Sequence, residues 1–123
     1  MKLFDSHCHL QFPQFDADRD TIISHMRNDG IGAVVVGTDL ETSKRAIELA
    51  EQYDFLWASV GLHPNNDESY DISRYSEIAT HQKIVAIGEC GLDYLRSGGT
   101  DEERSVQKER FLRHIELAEK VQK

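Results

Sequence analysis

Near the start of the chain, Asp5-Ser6-His7-Cys8-His9 gathers side chains that can bind a metal ion. The run follows a short apolar start, Leu3-Phe4, as at the end of a β-strand. Side chains alternate between the two faces of a strand, so an extended backbone here puts Asp5, His7 and His9 on one face. Two imidazoles two residues apart on one face can reach a single ion, and histidine is the commonest protein metal ligand. A carboxylate two residues earlier is then placed to orient one of the rings by a hydrogen bond. The competing reading is two polar residues in a loop, and the pair alone does not separate the two.

A second carboxylate strengthens the metal reading. Glu89 directly follows the apolar run Val85-Ala86-Ile87-Gly88, where a charge is costly unless it is paired or bound to a cation. Gly88 and Gly91 let the backbone turn sharply or approach a ligand. One glutamate can bridge two ions through its two oxygens, as in hydrolases that hold two metals ~4 Å apart. An ordinary salt-bridged strand-end carboxylate is the alternative. His63, before Pro64, either donates a hydrogen bond to an anionic substrate group or orients a loop. Asp93 is a candidate for substrate binding or a turn residue after Gly91. Asp39 caps a helix on the plainest reading. His25, His81 and His114 fall in helical stretches and read as surface or packing residues, Trp57 as core, and Arg96 as a solvated charge.

The elements that must position these residues alternate regularly. Strands are expected over 2–6, 31–36, 55–60 and 84–88. The runs Ile31-Gly32-Ala33-Val34-Val35-Val36 and Ile84-Val85-Ala86-Ile87 are continuously apolar, as in parallel strands buried on both faces. Helices are expected over 18–28, ending at Gly30, over 40–52 and over 72–81, with a fourth from about 100 to the end. Thr38…Glu41 and Thr100…Glu103 offer capping boxes. The fourth helix carries Phe111, Ile115, Ala118 and Val121 toward the C-terminus. His7, His9, Asp39, His63, Glu89 and Asp93 all fall at the carboxyl ends of strands, the face where parallel α/β barrels build their sites.

Four consecutive βα units imply an α/β fold with a parallel sheet and right-handed crossovers, a single domain over 1–123. A closed (β/α) barrel needs eight units and typically ~250 residues, so this chain supplies the N-terminal half of a TIM-like barrel. Open strand edges would remain. The expectation is either a portion of a longer protein or a homodimer completed through the exposed edges.

Composition sets the remaining bounds. Hydrophobic residues at 39% and charged residues at 29% are those of a globular protein. No segment approaches the ~20 apolar residues of a membrane helix, and no signal pattern opens the chain, which makes the cytoplasm the expected compartment. A net charge of −8 argues against a basic nucleic-acid surface. A phosphate-bearing substrate would then depend on bound cations for positive charge. Two cysteines, Cys8 and Cys90, suit reduced thiols, with Cys8 packing on the face opposite the two histidines.

Three stretches in order, Asp5-Ser6-His7-Cys8-His9-Leu10, Val60-Gly61-Leu62-His63-Pro64 and Ala86-Ile87-Gly88-Glu89-Cys90-Gly91-Leu92-Asp93-Tyr94, resemble the TatD family of metal-dependent deoxyribonucleases in the amidohydrolase-like barrel superfamily. The resemblance extends over the whole chain. It implies hydrolysis of DNA phosphodiesters, often exonucleolytic, with divalent ions such as Mg²⁺, or Mn²⁺ or Zn²⁺ in its place. It implies that His7 and His9 ligate one metal, that Glu89 bridges to a second, and that His63 and Asp93 lie near the substrate. The family completes its site with two histidines and an aspartate from later strands, so the resemblance also implies little or no nuclease activity from a monomer of this chain. Amide or ester hydrolysis on the same site, and a non-catalytic metal-binding or dimerising half-barrel, are the other readings of these motifs.

Overall fold

A computed structural model describes residues 1–67 and 69–123. The elements run β1 (Leu3–Cys8), a 3-10 turn (Pro13–Phe15), α1 (Arg19–Asp29), β2 (Ile31–Val36), α2 (Leu40–Gln52), β3 (Leu56–Val60), α3 (Ile72–Ala79), β4 (Ile84–Ile87) and α4 (Asp101–Val121). The four strands form one parallel sheet in the order β1-β2-β3-β4. This is the expected succession of βα units. Apolar β-branched runs build the inner strands, and helical spacing of apolar residues builds the covers.

The helices cover one face of the sheet. There Ala33, Val35, Leu56, Ala58, Val60 and Ile84 are fully buried, packed with Ala46 and Ala50 of α2. The other face lies open. Phe4 is 48% exposed and Val85 43%, and the Phe4 ring meets Trp57 at 5.6 Å between centroids. Trp57, expected in the core, is half-buried on this open face, with the Lys83 ammonium 5.8 Å above its ring. Sheet parity decides this: Trp57 alternates with the fully buried Leu56 and Ala58.

Local chemistry explains the helix boundaries. Gly30 closes α1 in the left-handed region at φ 72°, where its N–H bonds back to the last turn. The capping box of α2 sits one residue later than expected. Asp39 accepts from the Thr42 N–H at 2.7 Å, and the Thr42 hydroxyl accepts from the Asp39 N–H at 3.0 Å. The Thr100–Glu103 box of α4 forms as expected. On α4, Gln107, His114 and Leu117 face inward and Val121 packs against the core, while Ile115 is 41% exposed. Two polar residues on that inward face hide it from a purely apolar reading.

Candidate metal and phosphate site

β1 delivers the two histidines through an irregularity that regular alternation did not anticipate. Asp5 pairs with Ala33 and Cys8 with Val35, so three steps on β1 match two on β2. Ala33 and Val35 both face the helices, which puts Asp5 and Cys8 on that side and leaves His7 and His9 on the other. The expected common face for Asp5, His7 and His9 is therefore corrected by a bulge. The Asp5 carboxylate accepts from the backbone N–H of His7 at 3.0 Å, so it holds the bulged backbone and not a ring. Cys8 packs against the core, as expected. Its thiol donates to the Val34 carbonyl at 3.3 Å, and burial pushes its pKa up to about 11.

His9 is fixed in orientation. Its Nδ1–H donates to the Val36 carbonyl at 2.9 Å, and its ring stacks on Phe12 at 4.6 Å with planes 15° apart. A ring that donates through Nδ1 presents a bare Nε2 lone pair, the form that binds a cation. Arg19 holds the loop beneath, donating to the carbonyls of Leu10 and Phe12 at 2.6 and 2.9 Å and to Asp16 at 2.6 Å. Sequence reasoning missed Arg19 and Phe12; an arginine opening a helix beside a strand-end His pair is weak evidence by itself.

Glu89 arrives from the end of β4. Its N–H donates to the Gly37 carbonyl, and that of Gly88 to Val60, both at 2.8 Å. The approach requires a glycine across from it. A Cβ on Gly61 would stand 2.6 Å from the Gly88 carbonyl carbon and 2.8 Å from the Glu89 oxygen. The carboxylate is divided between its neighbours, with Oε2 3.5 Å from His7 Nε2 and 3.8 Å from His9 Nε2, and Oε1 3.6 Å from His63 Nε2.

These residues fit a divalent cation. The ligand atoms of His7, His9 and Glu89 lie within 4.8 Å of one another, and the two Nε2 atoms are 3.2 Å apart. With metal–nitrogen bonds of about 2.1 Å, that separation corresponds to an angle of about 100° at one ion, between the tetrahedral and octahedral ideals.

His63 is oriented the other way. Its Nδ1 accepts from the Asn65 N–H at 3.1 Å, so in the neutral ring the proton resides on Nε2, the atom that faces Glu89. Its own N–H is anchored to the Thr38 carbonyl at 2.8 Å. Hydrogen bonds to Nδ1 thus sort the two neutral rings, leaving a bare Nε2 on His9 and a protonated Nε2 on His63.

The family described as TatD related DNase matches residues 4–123. The chain belongs to this family. It is 39% identical over 123 residues to a metal-dependent hydrolase, YabD, of Bacillus subtilis (strain 168), a match covering 97% of this chain and 47% of that one. It is 34% identical over 120 residues to the 3'-5' ssDNA/RNA exonuclease TatD of Escherichia coli (strain K12), covering 94% and 45%. A crystal structure of YJJV, a TatD homologue from Escherichia coli K12, superposes with a TM-score of 0.83 at 29% identity, covering 98% of this chain and 48% of that one. The chain spans less than half the length of each of these relatives. The four βα units are half of a TIM-like barrel, as the unit count predicts.

Among the TatD motif residues, Asp93 stands apart from the His–Glu cluster. Its Oδ2 accepts from Asn65 Nδ2 at 2.6 Å, and its Oδ1 accepts the N–H groups of Leu95 and Arg96, each at 3.2 Å. These bonds, the one from Asn65 foremost, hold its carboxyl below the usual carboxylate range. The buried Gln107 continues the network, accepting from the Asp93 N–H at 2.8 Å and donating to Ser97 Oγ at 2.7 Å. Cys90, beside Glu89, has its thiol pKa raised, chiefly by burial and then by the neighbouring carboxylate. His114, read from sequence as surface or packing, is 1% exposed and accepts the Leu62 N–H at 2.9 Å, so α4 supports the loop that carries His63.

Proposed function

We propose that this chain contributes the β1, β3 and β4 portion of a TatD-type, metal-dependent phosphodiesterase that removes nucleotides from single-stranded DNA. The convergence of His7 Nε2, His9 Nε2 and the Glu89 carboxylate, with His63 Nε2 at the far carboxylate oxygen, carries this reading. His7, His9 and Glu89 would hold the ion, with Mg²⁺ the family's expected metal and Mn²⁺ or Zn²⁺ suited to the imidazoles. When bound, the cation supplies positive charge to the phosphate and activates water for attack at phosphorus. His63 donates through Nε2–H to a non-bridging phosphate oxygen, and the split carboxylate of Glu89 leaves Oε1 available for a second cation or for a proton. The named exonuclease relatives support 3'-5' directionality and extend the substrate class to RNA.

The net charge of −8 supports cation dependence, because phosphate must otherwise approach an acidic surface. No helix among the described residues is long and apolar enough to cross a membrane. Two free cysteines support a reducing, cytoplasmic setting. Leu3, Phe4 and Val85, exposed on the two outer strands, support a homodimer closed through β1 and β4 as the arrangement that would cover them.

Calorimetric titration of the chain with Mn²⁺ tests the metal seat. Saturable binding lost in Glu89→Ala is expected; binding unchanged by that substitution overturns the seat. Digestion of 3'-labelled single-stranded DNA with Mg²⁺ tests the reaction. A monodisperse monomer is expected to release little or no label, and self-associated chain is expected to release it only with Glu89 intact. Equal release by Glu89→Ala would refute the assignment of chemistry to this site.

A further inference from the structure

Two loops at the carboxyl end of the sheet are tied together by a polar network that the metal cluster does not use. Asn65 stands at its centre. Its backbone N–H holds His63 Nδ1 at 3.1 Å, its side-chain amide donates to Asp93 Oδ2 at 2.6 Å, and its side-chain oxygen accepts from the Ser97 hydroxyl. Ser97 and Asp93 are in turn held by Gln107, which is 3% exposed and projects from α4. A buried glutamine, a serine, an aspartate and an asparagine thus join the two loops, beside a turn in which the Asn66 N–H bonds the His63 carbonyl at 2.9 Å.

The consequence falls on His63. Its Nε2 is 3.6 Å from the same carboxylate that His7 and His9 approach at 3.5 and 3.8 Å. It meets that carboxylate through the other oxygen, outside the set of His7, His9 and Glu89, whose ligand atoms lie within 4.8 Å of one another. What differs is the partner of Nδ1: His9 Nδ1 donates to a carbonyl, whereas His63 Nδ1 accepts from Asn65. An accepting Nδ1 leaves the proton on Nε2, and a protonated Nε2 cannot ligate.

We propose that the Asn65–Asp93 pair is a positioning device that holds His63 as the Nε2–H tautomer, keeping it out of the cation's ligand set and free to donate to an anionic oxygen. Identifying that oxygen as a phosphodiester's rests on the nuclease reading above; the tautomer and the exclusion from the metal do not. Asp93 acts through Asn65 and touches no reacting atom.

The hydrogen-bond directions supply a test by exchange. In Asn65→Asp, two carboxylates face each other across the 2.6 Å contact. In Asp93→Asn, an amide N–H₂ faces Asn65 Nδ2 or the N–H groups of Leu95 and Arg96 unless Asn65 turns over and gives up its bond from Ser97. The double variant, Asn65→Asp with Asp93→Asn, restores every bond, with donor and acceptor reversed across the 65–93 contact alone. The amide now at position 93 donates to the carboxylate now at position 65, which still accepts from Ser97. The amide oxygen at position 93 still accepts from Leu95 and Arg96. This is a double-mutant cycle with a predicted rescue.

The readout is long-range ¹H–¹⁵N NMR of the imidazoles, with and without Zn²⁺, and with His63→Asn to assign the ring. In the wild-type chain, His63 is expected to keep a protonated Nε2 and a bare Nδ1, while Zn²⁺ shifts the nitrogens of His7 and His9 only. Each single variant is expected to raise the population of the Nδ1–H form of His63 roughly tenfold, the worth of one hydrogen bond, and to let Zn²⁺ shift its Nε2. The double exchange is expected to return both signals to wild type, and it still reads the coupling where a single variant fails to fold. Loss of the His63 Nε2 proton to Zn²⁺ in the wild type overturns the proposal, as does failure of the double exchange to restore it. Digestion of DNA left unchanged by Glu89→Ala, with the expected spectra, would overturn the nuclease reading alone.

Discussion

Replacing His114 tests whether α4 helps to hold the loop that carries His63. Its Nε2 accepts the N–H of Leu62 at 2.9 Å, its Nδ1–H donates to the Arg110 carbonyl at 2.7 Å, and its ring stacks on Tyr70 at 4.3 Å. Leu62 is only 1% exposed, so no solvent can replace the lost acceptor. In His114→Leu the stranded N–H costs about 1–3 kcal/mol. The lost stacking adds about 0.5–1.5 kcal/mol. The sum, about 2–4 kcal/mol, is a large share of the roughly 5–15 kcal/mol that stabilises a domain. It corresponds to a fall in Tm of about 10 °C. His114→Gln keeps an oxygen able to accept from Leu62 and loses the ring, so it should lose about half as much. Thermal denaturation followed by circular dichroism at pH 7.5 measures both. Equal losses in the two variants would refute the reasoning, since the acceptor would then contribute nothing.

Acidity gives the same residue a second signature. Burial, and then the nearby Arg110 charge, lower the His114 pKa from its usual value near 6.5. Its contribution is fully present above the unfolded value and is lost as pH falls below it, because the unfolded chain takes up a proton that the folded chain resists. The stability advantage of wild type over His114→Gln should therefore narrow between about pH 7 and pH 5. A gap that widens on acidification would contradict the assignment.

Three further outcomes follow from named contacts. Gly61→Ala forces a methyl against the backbone of Gly88 and Glu89, so Mn²⁺ affinity should drop by at least about tenfold and stability by about 1–3 kcal/mol; calorimetry and urea denaturation read the two. Asp39→Ala removes the cap of α2 and should cost about 1 kcal/mol, seen as a Tm lower by several degrees. With a thiol pKa of about 11, Cys8 at pH 8 carries about a hundredfold less thiolate than an ordinary cysteine, so a disulfide reagent should modify it correspondingly slowly until denaturant is added.

Much of the architecture is legible in the sequence because it rests on local signals. The run Ile31–Val36 forms β2 with no shift of boundary, and Leu40–Gln52 forms α2 likewise, since a continuous apolar run and a helical repeat need no distant partner to be recognised. Gly30 and the Thr100–Glu103 box are equally local. The departures have a common origin. The bulge that turns Asp5 away from His7 is defined by the pairing of β1 with β2, more than twenty residues away, and nothing in Asp5-Ser6-His7-Cys8-His9 records the extra step. His114 reads as a surface or packing residue of α4 and does pack, being 1% exposed; its bond to the Leu62 N–H, 52 positions earlier, is what the local sequence does not record.

The same distinction separates what a motif can name from what it can do. The spacing of His7, His9, His63 and Glu89 is enough to assemble a cluster, and the folded chain brings all four together. Their chemistry is decided one bond further out. Val36 offers His9 Nδ1 an acceptor, Asn65 offers His63 Nδ1 a donor, and these opposite choices leave a bare Nε2 on one neutral imidazole and a protonated Nε2 on the other. Substituting residues within the cluster would remove both functions without telling them apart. Exchanging Asn65 and Asp93 leaves every cluster residue in place and alters only the bond that chooses the tautomer, so it asks the sharper question of what each histidine is for.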